Sequence, residues 1–396
     1  MEKFDCLVIG GGMVGATTAV ALADLGLKIA LVDTHRPDSN LLDNPGDYDQ
    51  QQDYNLRVSA VSLGSEQLLR SLRIWQQVQL WRVTPYRRLA VWEQGLSYAE
   101  FHCDQIKQSH LGHMVENHLI QAAAWLQIKA RSNIKVFAPQ KLSKIENRED
   151  GITATLGDIT IESEILVGAD GGNSMVRNLA KIGTSGWDYQ HSAMLINVKT
   201  EQDQQDITWQ HFVNGAPVAF LPLSGNRASL VWYDKPQTIN ELVNLSSSQL
   251  QQRIIEHFPK RLGNIEVIDK GAFPLIRRHA NQYVKNRVVL VGDAAHSINP
   301  LAGQGVNMGF KDVHALQEVI AKAIGSGEHY ADASVLRRYE KQRRNDNLLM
   351  MTTMDLIYRG FKQPAGPIKL LRNLGLFGAQ RMGPIKDKVL AYACGL

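Results

Sequence analysis

Apolar positions change their spacing along the chain, and this change separates two kinds of structure. Residues 6–9 form a short apolar run that ends in glycines, residues 14–25 have helical spacing, and residues 28–32 form a second apolar run. A strand, a helix and a strand in this order predict a βαβ unit of a parallel sheet. Further elements of the same domain are predicted as helices at 111–128, 174–182 and 306–324 and strands at 135–137, 159–166 and 287–291.

Short strand-like runs dominate between residues 193 and 233, where MLINVKT, ITWQHFV, VAFLPL and ASLVWY are separated by turn residues. Consecutive strands of this kind predict a second sheet, to which residues 84–101 add strands. A helix is predicted at 247–257. From residue 334 the pattern is mostly helical, with a break at Pro364–Pro367.

These patterns predict an α/β fold in three parts. A Rossmann-like nucleotide-binding domain takes residues 1–75, 102–182 and 281–333. A β-sheet substrate domain is inserted as residues 76–101 and 183–280, and a C-terminal helical region takes residues 334–396. With 396 residues, 44% hydrophobic and 21% charged, the chain is ordinary for a globular protein of this size.

The cysteines and the apolar runs indicate in which cellular compartment the protein is expected. Cys6, Cys103 and Cys394 have no paired spacing, so neither a disulfide framework nor a cysteine-based metal site is indicated, and no metal is expected. The start of the chain lacks a basic leader, and no apolar run reaches the roughly 18 residues that a membrane span needs. These features predict a cytoplasmic protein.

Charge is unevenly distributed. Residues 359–396 contain seven Lys or Arg and one Asp, a net +6, so the other 358 residues carry −2 of the total +4. Within this region, residues 368–382 place apolar side chains at helical spacing beside basic ones. Such a helix either lies at an anionic membrane surface or docks on the protein with its basic face in water.

Residues 38–54 hold five Asp and no basic residue, which predicts a solvated, mobile surface loop. No nucleic-acid partner is expected.

The first candidate site is the glycine-rich turn of the βαβ unit. Gly10 suits the tight turn, Gly12 would let the backbone approach a pyrophosphate, and Gly15 would let the helix pack against the strand. Asp33, at the end of the second strand, is placed to accept hydrogen bonds from a ribose. The segment therefore predicts a dinucleotide site, and a glycine-rich turn without a ligand is the alternative.

Two later segments extend this site. The segment GADGGNSMVR, residues 168–177, contains Asp170, and the segment LVGDAAHSINPLAGQGVN, residues 290–307, begins with a strand that delivers Asp293 at its carboxyl end. Open α/β sheets bind ligands at that edge. The loop that follows contains Pro300, Gly303, Gln304 and Gly305. It leads into the helix from residue 306, whose N-terminus carries partial positive charge. His296 in this loop is either an acid or base, or a histidine with a structural hydrogen bond.

In this order, the three segments resemble those of the single-component FAD-dependent aromatic hydroxylases of the p-hydroxybenzoate hydroxylase fold. Over essentially its whole length, the chain resembles the hydroxylases of ubiquinone biosynthesis. The closer likeness rests on RVSAVS (57–62), PYRRLAVWE (85–93), GHMVEN (112–117), WQHFVNGAPVAFLPL (209–223), ASLVWYD (228–234), AFPLIRRHA (272–280) and RNLGL (372–376). Sister enzymes that act at other ring positions share much of this pattern.

The resemblance implies FAD as cofactor and NAD(P)H as reductant. It assigns Gly10, Gly12, Gly15 and Asp33 to the ADP half of FAD, although many relatives have Glu where this chain has Asp33. Arg57 would lie near the dinucleotide, unless it pairs with an Asp of the neighbouring loop. Asp170 would lie near both FAD and the reductant, unless it only caps a turn. Asp293 would bond the ribityl chain.

The reaction implied is aromatic hydroxylation. NAD(P)H would reduce FAD, O₂ would add at flavin C4a, and the hydroperoxide would transfer its terminal oxygen to the ring of a polyprenyl benzoquinol. The protein must then exclude water and aim the ring. We therefore expect an apolar chamber between sheet and flavin, lined by Phe220, Leu221, Pro222 and Leu223, which would otherwise be sheet core.

A polyprenyl substrate resides in lipid, which favours peripheral contact at the inner membrane face through residues 368–382, or assembly with other ubiquinone-biosynthesis proteins. Three other functions remain open on the same motifs. The chain could be a sister hydroxylase, another flavoenzyme of this fold such as a reductase or halogenase, or a flavoprotein that acts only as an assembly component.

Overall fold

The computed structural model describes residues 2–93, 98–213, 216–298, 303–362 and 383–396, and these form three sheets with surrounding helices. The strands are β1 Glu2–Ile9, β2 Ile29–Val32, β3 Val58–Ser62, β4 Thr84–Tyr86, β5 Arg88–Glu93, β6 Tyr98–His102, β7 Gly112–Glu116, β8 Ile134–Phe137, β9 Leu142–Asn147, β10 Ile152–Leu156, β11 Ile159–Gly168, β12 Thr184–Thr200, β13 Ile207–Val213, β14 Ala216–Leu223, β15 Arg227–Asp234, β16 Ile265–Ala280, β17 Val284–Lys285, β18 Val288–Leu290 and β19 His296–Ser297. The helices are α1 Met13–Ala23, α2 Ser39–Asp43, α3 Leu63–Ser71, α4 Trp75–Trp81, α5 Asn117–Lys129, α6 Met175–Leu179, α7 Pro236–Asn244, α8 Ser247–His257, α9 Gln304–Gly325, α10 Ala333–Lys362 and α11 Pro384–Ala393.

The first sheet has the order β17-β18-β11-β1-β2-β8, with the β9–β10 hairpin attached to β11. Strands β18, β11, β1, β2 and β8 are parallel. Helix α1 crosses from β1 to β2 and packs against α5 and α9. Parallel strands are covered on both faces, which explains why the second half of β1, Cys6–Ile9, is apolar and buried. The predicted α/β fold with a βαβ unit at the N-terminus is confirmed.

The second sheet has the order β19-β16-β12-β15-β14-β13-β5-β6. Because side chains alternate between the faces of a strand, each strand serves two environments. One face, which includes Trp209 and Phe220, packs against α7 and α8. The other face, which includes Leu195 and Leu221, borders a cavity. The strands predicted between residues 193 and 233 are present in this sheet.

Several predicted elements differ from the structure. The first residues of the helix predicted at 111–128 form β7, which pairs with β3, and the helix begins only at Asn117. Strand β4 pairs with β7 in a third, small sheet instead of joining the second. Helix α4 packs in the core of the first sheet, so that core extends beyond the predicted boundary at residue 76.

The acidic segment 38–54 is not a wholly solvated loop, so this prediction is wrong in part. It contains helix α2, and both Leu41 and Tyr54 are buried. The Arg82 guanidinium lies 3.6 Å from the centre of the Tyr54 ring and also pairs with Glu116 at 2.8 Å. These contacts tie the end of the segment to the protein interior.

Helix α10 links the first core to the cavity. Its N-terminal part packs beneath the first sheet through Leu336 and Tyr339, and its later residues Met350 and Met354 border the cavity. Residues 368–382, predicted to form an amphipathic helix that either lies at a membrane surface or docks on the protein, lie outside the described residues. Within the described ranges, no helix combines the length and the apolar character needed to cross a bilayer.

Candidate active site

The turn between β1 and α1 can be made only with glycine at two positions. Gly10 has a φ of +104°, and a Cβ there would lie 2.4 Å from the Ala169 carbonyl oxygen. A Cβ on Gly15 would lie 1.8 Å from the Gly10 carbonyl oxygen. Gly12 differs, because a Cβ there would meet nothing within 4 Å. The space beside Gly12 is therefore open, and it adjoins the N-terminus of α1.

The start of α1 fits an anionic group. Its N-cap, Gly12, offers no side-chain hydrogen bond to the free N–H groups of the first turn. Such N–H groups, with the helix dipole behind them, bind phosphate. The open space at Gly12 and the uncapped helix start together match the pyrophosphate of a dinucleotide.

Asp33 lies at the end of β2 and faces this turn. One carboxylate oxygen accepts a hydrogen bond from the Gly11 N–H, and the other accepts one from the His35 N–H at 2.8 Å. On the other side, Trp125 Nε1 and Gln121 Nε2 donate to the Gly11 carbonyl oxygen at 2.7 and 2.9 Å. The sequence did not identify these two side chains of α5, which fix the turn.

Asp170 stands where the second segment meets the turn. Its Oδ2 accepts hydrogen bonds from the N–H groups of Met175 at 2.7 Å and Val176 at 3.0 Å, so it caps the start of α6. Its Oδ1 is buried and has no hydrogen-bond partner among the described residues. Ala169, one residue earlier, borders a groove that runs from Gly12 towards the second sheet. The capping role predicted as the alternative is therefore present.

Asp293 lies in this groove, in a short turn three residues after the end of β18. Protein surrounds it on most sides, and this burial raises the pKa of its carboxyl group, while the nearby charges of His296 and Arg57 act to lower it. The side chain is nevertheless exposed, because it opens into the groove. A carboxyl group in this position can bond a polar ligand chain lying along the groove.

The N-terminus of α9 closes one end of the groove. Gly303 has a φ of +65°, and α9 begins at Gln304. Gly305 and Val306 line both the groove and the cavity beside it. Pro300, predicted for the same loop, lies outside the described residues.

Arg57 stands where the groove meets the cavity and lines both, as does Asn117. Among the described residues, the ion pairs of the acidic segment join Asp43 to Lys129 and Asp53 to Arg227, and none includes Arg57. The positive charge of Arg57 instead acts to lower the pKa of the Asp293 carboxyl group. The alternative prediction, a surface pair with a loop aspartate, is therefore not what the structure shows.

His296 points away from both the groove and the cavity. It is 1% exposed, and its Nε2 lies 2.5 Å from Asp312 Oδ2. Asp312 also accepts hydrogen bonds from Arg343 Nε at 2.8 Å and the Gly292 N–H at 3.0 Å. Burial acts to raise the pKa of Asp312, but the charges of His296 and Arg343 lower it to about 2. This network supports the turn that carries Asp293, which favours the structural interpretation of His296.

The cavity has a volume of about 320 Å³ and lies between the second sheet, β7, α10 and α11. Most of its lining is apolar, and Met114, Leu195, Leu221, Phe273, Met354 and Leu390 contribute to it. Gln210 and Tyr233 place polar side chains among them. Burial raises the pKa of the Tyr233 hydroxyl, so it remains protonated and able to donate a hydrogen bond.

Of the four residues predicted to line this chamber, only Leu221 does so. Phe220 is on the opposite face of the sheet, stacked on Trp209 with ring centres 5.4 Å apart. Pro222 shares that face of β14, because side chains alternate along a strand, and Leu223 is buried beside Tyr54 and Met114. The prediction for Phe220, Pro222 and Leu223 as lining residues is corrected for this reason.

Comparison with known proteins places this geometry in context. A family model described as "FAD binding domain" matches residues 3–351. The chain is 44% identical over 396 residues to the 3-demethoxyubiquinol 3-hydroxylase of Escherichia coli K12, covering 100% of this chain and 99% of that protein. It is 33% identical over 393 residues to the ubiquinone hydroxylase UbiL of Rhodospirillum rubrum, covering 99% and 89%.

Solved structures share the fold at lower identity. PqsL of Pseudomonas aeruginosa, described as a probable FAD-dependent monooxygenase, superimposes with a TM-score of 0.76 at 18% identity, covering 95% of this chain and 100% of that chain. The p-nitrophenol 4-monooxygenase PnpA of Pseudomonas putida DLL-E4 gives a TM-score of 0.75 at 17% identity, covering 100% and 97%. At these identities the likeness shows the fold alone.

Proposed function

This chain belongs to the FAD binding domain family and is an FAD-dependent monooxygenase, and from this premise we propose that it hydroxylates the ring of a polyprenylated benzoquinol in ubiquinone synthesis. The substrate we propose is 2-polyprenyl-3-methyl-6-methoxy-1,4-benzoquinol. The observation that carries the proposal is the junction at Arg57 and Asn117, where a polar groove opens directly into an apolar cavity. The full-length likeness to a 3-demethoxyubiquinol hydroxylase supports the choice of ring.

We propose that the groove holds FAD along its length. The open space at Gly12 and the start of α1 would bind the pyrophosphate, Asp33 the adenosine ribose and Asp293 the ribityl chain. The N-terminus of α9 would then face the flavin ring, where its partial positive charge stabilises negative charge. When bound and reduced by NAD(P)H, FAD supplies the activated oxygen derived from O₂.

The chain itself must position the substrate ring and exclude water. The apolar lining around Leu221 and Phe273 would exclude water from the reacting atoms. Gln210 and Tyr233 would bond the ring oxygens and so fix which ring carbon faces the flavin. His296 would act indirectly, because with Asp312 it supports the turn that carries Asp293.

A complementation experiment tests the proposed substrate. Cells that lack their own demethoxyubiquinol hydroxylase, and express this chain, should lose the demethoxy intermediate and regain ubiquinone in quinone extracts analysed by mass spectrometry. Persistence of the demethoxy intermediate, together with restored ubiquinone in a second strain that accumulates a non-methoxylated phenol, would move the assignment to a sister hydroxylase. NADPH oxidation without oxygen consumption would support a reductase instead. Failure of NAD(P)H to bleach the bound flavin would support a non-enzymatic role.

We also propose that the basic C-terminal region contacts the membrane surface where the substrate resides. Attraction of about 1 kcal/mol per basic residue near anionic lipid supports this. Changing Lys369, Arg372 and Arg381 together to Gln should therefore reduce cosedimentation with vesicles of anionic phospholipid, with flavin content unchanged.

A matched variant separates local contact from total charge. The control changes three exposed lysines elsewhere to Gln, namely Lys129, Lys144 and Lys322. This control loses the same three positive charges as the C-terminal variant. That control should sediment with vesicles like the parent. Equal sedimentation of parent and C-terminal variant would favour the docked helix, and loss of flavin in the C-terminal variant would show a structural role for the region.

A further inference from the structure

A group of two histidines and a glutamate lies apart from the groove and the cavity. Glu66 is on α3, His110 precedes β7, and His113 is on β7. His110 Nε2 lies 2.9 Å and His113 Nδ1 lies 3.0 Å from the same oxygen, Glu66 Oε2. The three atoms are within 4.8 Å of one another. Glu66 and His113 are buried, while His110 is partly exposed and leaves a path from solvent.

The two oxygens of Glu66 have different partners. Arg70, one turn later on α3, donates to Oε1 through Nε at 2.8 Å and Nη2 at 2.7 Å. Oε2 is therefore directed at the two imidazole rings, whose centres are 4.3 Å apart. Outer partners of this kind orient the ligands of metal sites.

His113 supplies an independent indication of a ligand. Its Nδ1 is buried and lacks a hydrogen bond of acceptable geometry, even though Glu66 Oε2 is only 3.0 Å away. The nitrogen and the oxygen are thus close without being aligned as donor and acceptor.

We propose that Glu66 Oε2, His110 Nε2 and His113 Nδ1 bind one divalent transition-metal ion with the ligand preference of Zn²⁺. Tetrahedral ligands about 2.1 Å from such an ion lie about 3.4 Å from one another, so the observed 2.9 and 3.0 Å would each lengthen by about 0.4–0.5 Å to admit the ion. Imidazole and carboxylate are ligands that Zn²⁺ takes. A water on the open side of His110 would complete the coordination. The site contains no cysteine, so cysteine spacing could not have predicted it.

The ion would join α3 to β7, and β7 continues to Met114 in the wall of the cavity. Its role would be to stabilise this wall. Metal that binds the folded chain and not the unfolded chain raises the melting temperature. The change in melting temperature tests the metal site independently of the proposed hydroxylase function, because it does not depend on turnover.

The test uses tag-free, FAD-bound protein that has been treated with a chelator and then titrated with ZnCl₂ by calorimetry. The parent should bind one Zn²⁺ per chain and melt at a higher temperature with Zn²⁺ than without it. His113→Gln and Glu66→Gln should bind at least a hundredfold more weakly and lose the thermal shift. His314→Gln should behave like the parent, because His314 is an exposed histidine beside Glu318 at 3.5 Å.

Two further measurements keep the test decisive. His102→Gln removes a ligand from the other group of candidate metal ligands, His102, Cys103 and Asp104, and should leave binding unchanged. If the buried variants lose FAD, His110→Gln at the partly exposed position replaces them. Absence of stoichiometric binding by the parent overturns the proposal without reference to any variant, and so does equal binding by parent and His110→Gln.

Discussion

The groove and the cavity meet at Arg57, yet they are built in different ways. At its α1 end the groove is formed by glycine turns, a helix start and the ends of parallel strands, and residues 273–276 and 278 of β16 line its other side. The cavity is made by side chains from β5, β7, β12, β14, α10 and α11, which are spread over some 300 residues. Backbone sites require glycine at fixed places and leave a motif in the sequence. Side-chain sites require only suitable volume and polarity, and many sequences satisfy that.

The largest effect should come from the glycine turn. Gly15→Val places side-chain atoms against the Gly10 carbonyl oxygen, so we expect no folded protein that retains FAD. Gly12→Val has room in the protein but fills the space proposed for the pyrophosphate. It should fold with a melting temperature close to that of the ligand-free parent and contain no flavin, as measured by absorbance at 450 nm after purification.

Gly46→Ala is the matched control, because a Cβ at Gly46 meets nothing within 4 Å and the position lies outside the groove. It should bind FAD like the parent. A flavin-replete Gly12→Val would mean that the pyrophosphate lies elsewhere.

A pair of neighbouring residues on β14 tests the cavity. Phe220→Ala leaves a void against Trp209 and should lower the free energy of unfolding by about 3–5 kcal/mol, measured by urea denaturation. Leu221→Ala, one residue later, faces the cavity and should cost less stability. It should instead raise KM for a quinol analogue. Equal losses of stability with unchanged KM for Leu221→Ala would remove this cavity from the substrate site.

The smallest effect is expected at Asp293. Asp293→Ala removes one proposed hydrogen bond to the ribityl chain, worth roughly 1–3 kcal/mol, and should weaken FAD binding about tenfold to a hundredfold. Fluorescence titration of the ligand-free protein with FAD measures this. Asp203→Ala, at an exposed position outside the groove, is the control and should leave the dissociation constant unchanged.

The sequence predicted the parts of the molecule in which residue type and local geometry are linked. Gly10 and Gly15 could be assigned because the turn has no room for a side chain at either position. Trp125 could not, because an indole that bonds a backbone carbonyl 114 residues away leaves no spacing signal. The short run LGHMVE at the start of β7 fits both helical and strand periods, and only its pairing with β3 decides between them.

The orientation of side chains was the other feature that could not be predicted from the sequence. His296 lies within a recognisable motif, but the sequence does not say that its ring turns inward to Asp312. Likewise, VAFLPL reads as a strand, and the choice of which alternate residues face the cavity depends on where α7 and α8 pack. Both depend on contacts between distant segments.

The composition of α1 has a consequence for how the chain is made. All residues from Gly15 to Ala23 are buried, so this helix has no face suited to water. Its covering helices are α5 and α9, and α9 ends at residue 325 of 396. At roughly 5–20 residues per second, the ribosome needs roughly 15–60 s to reach α9 after α1 has emerged. Nascent chains stalled near residue 250 should therefore bind holding chaperones and no FAD, whereas released full-length chains should do the reverse.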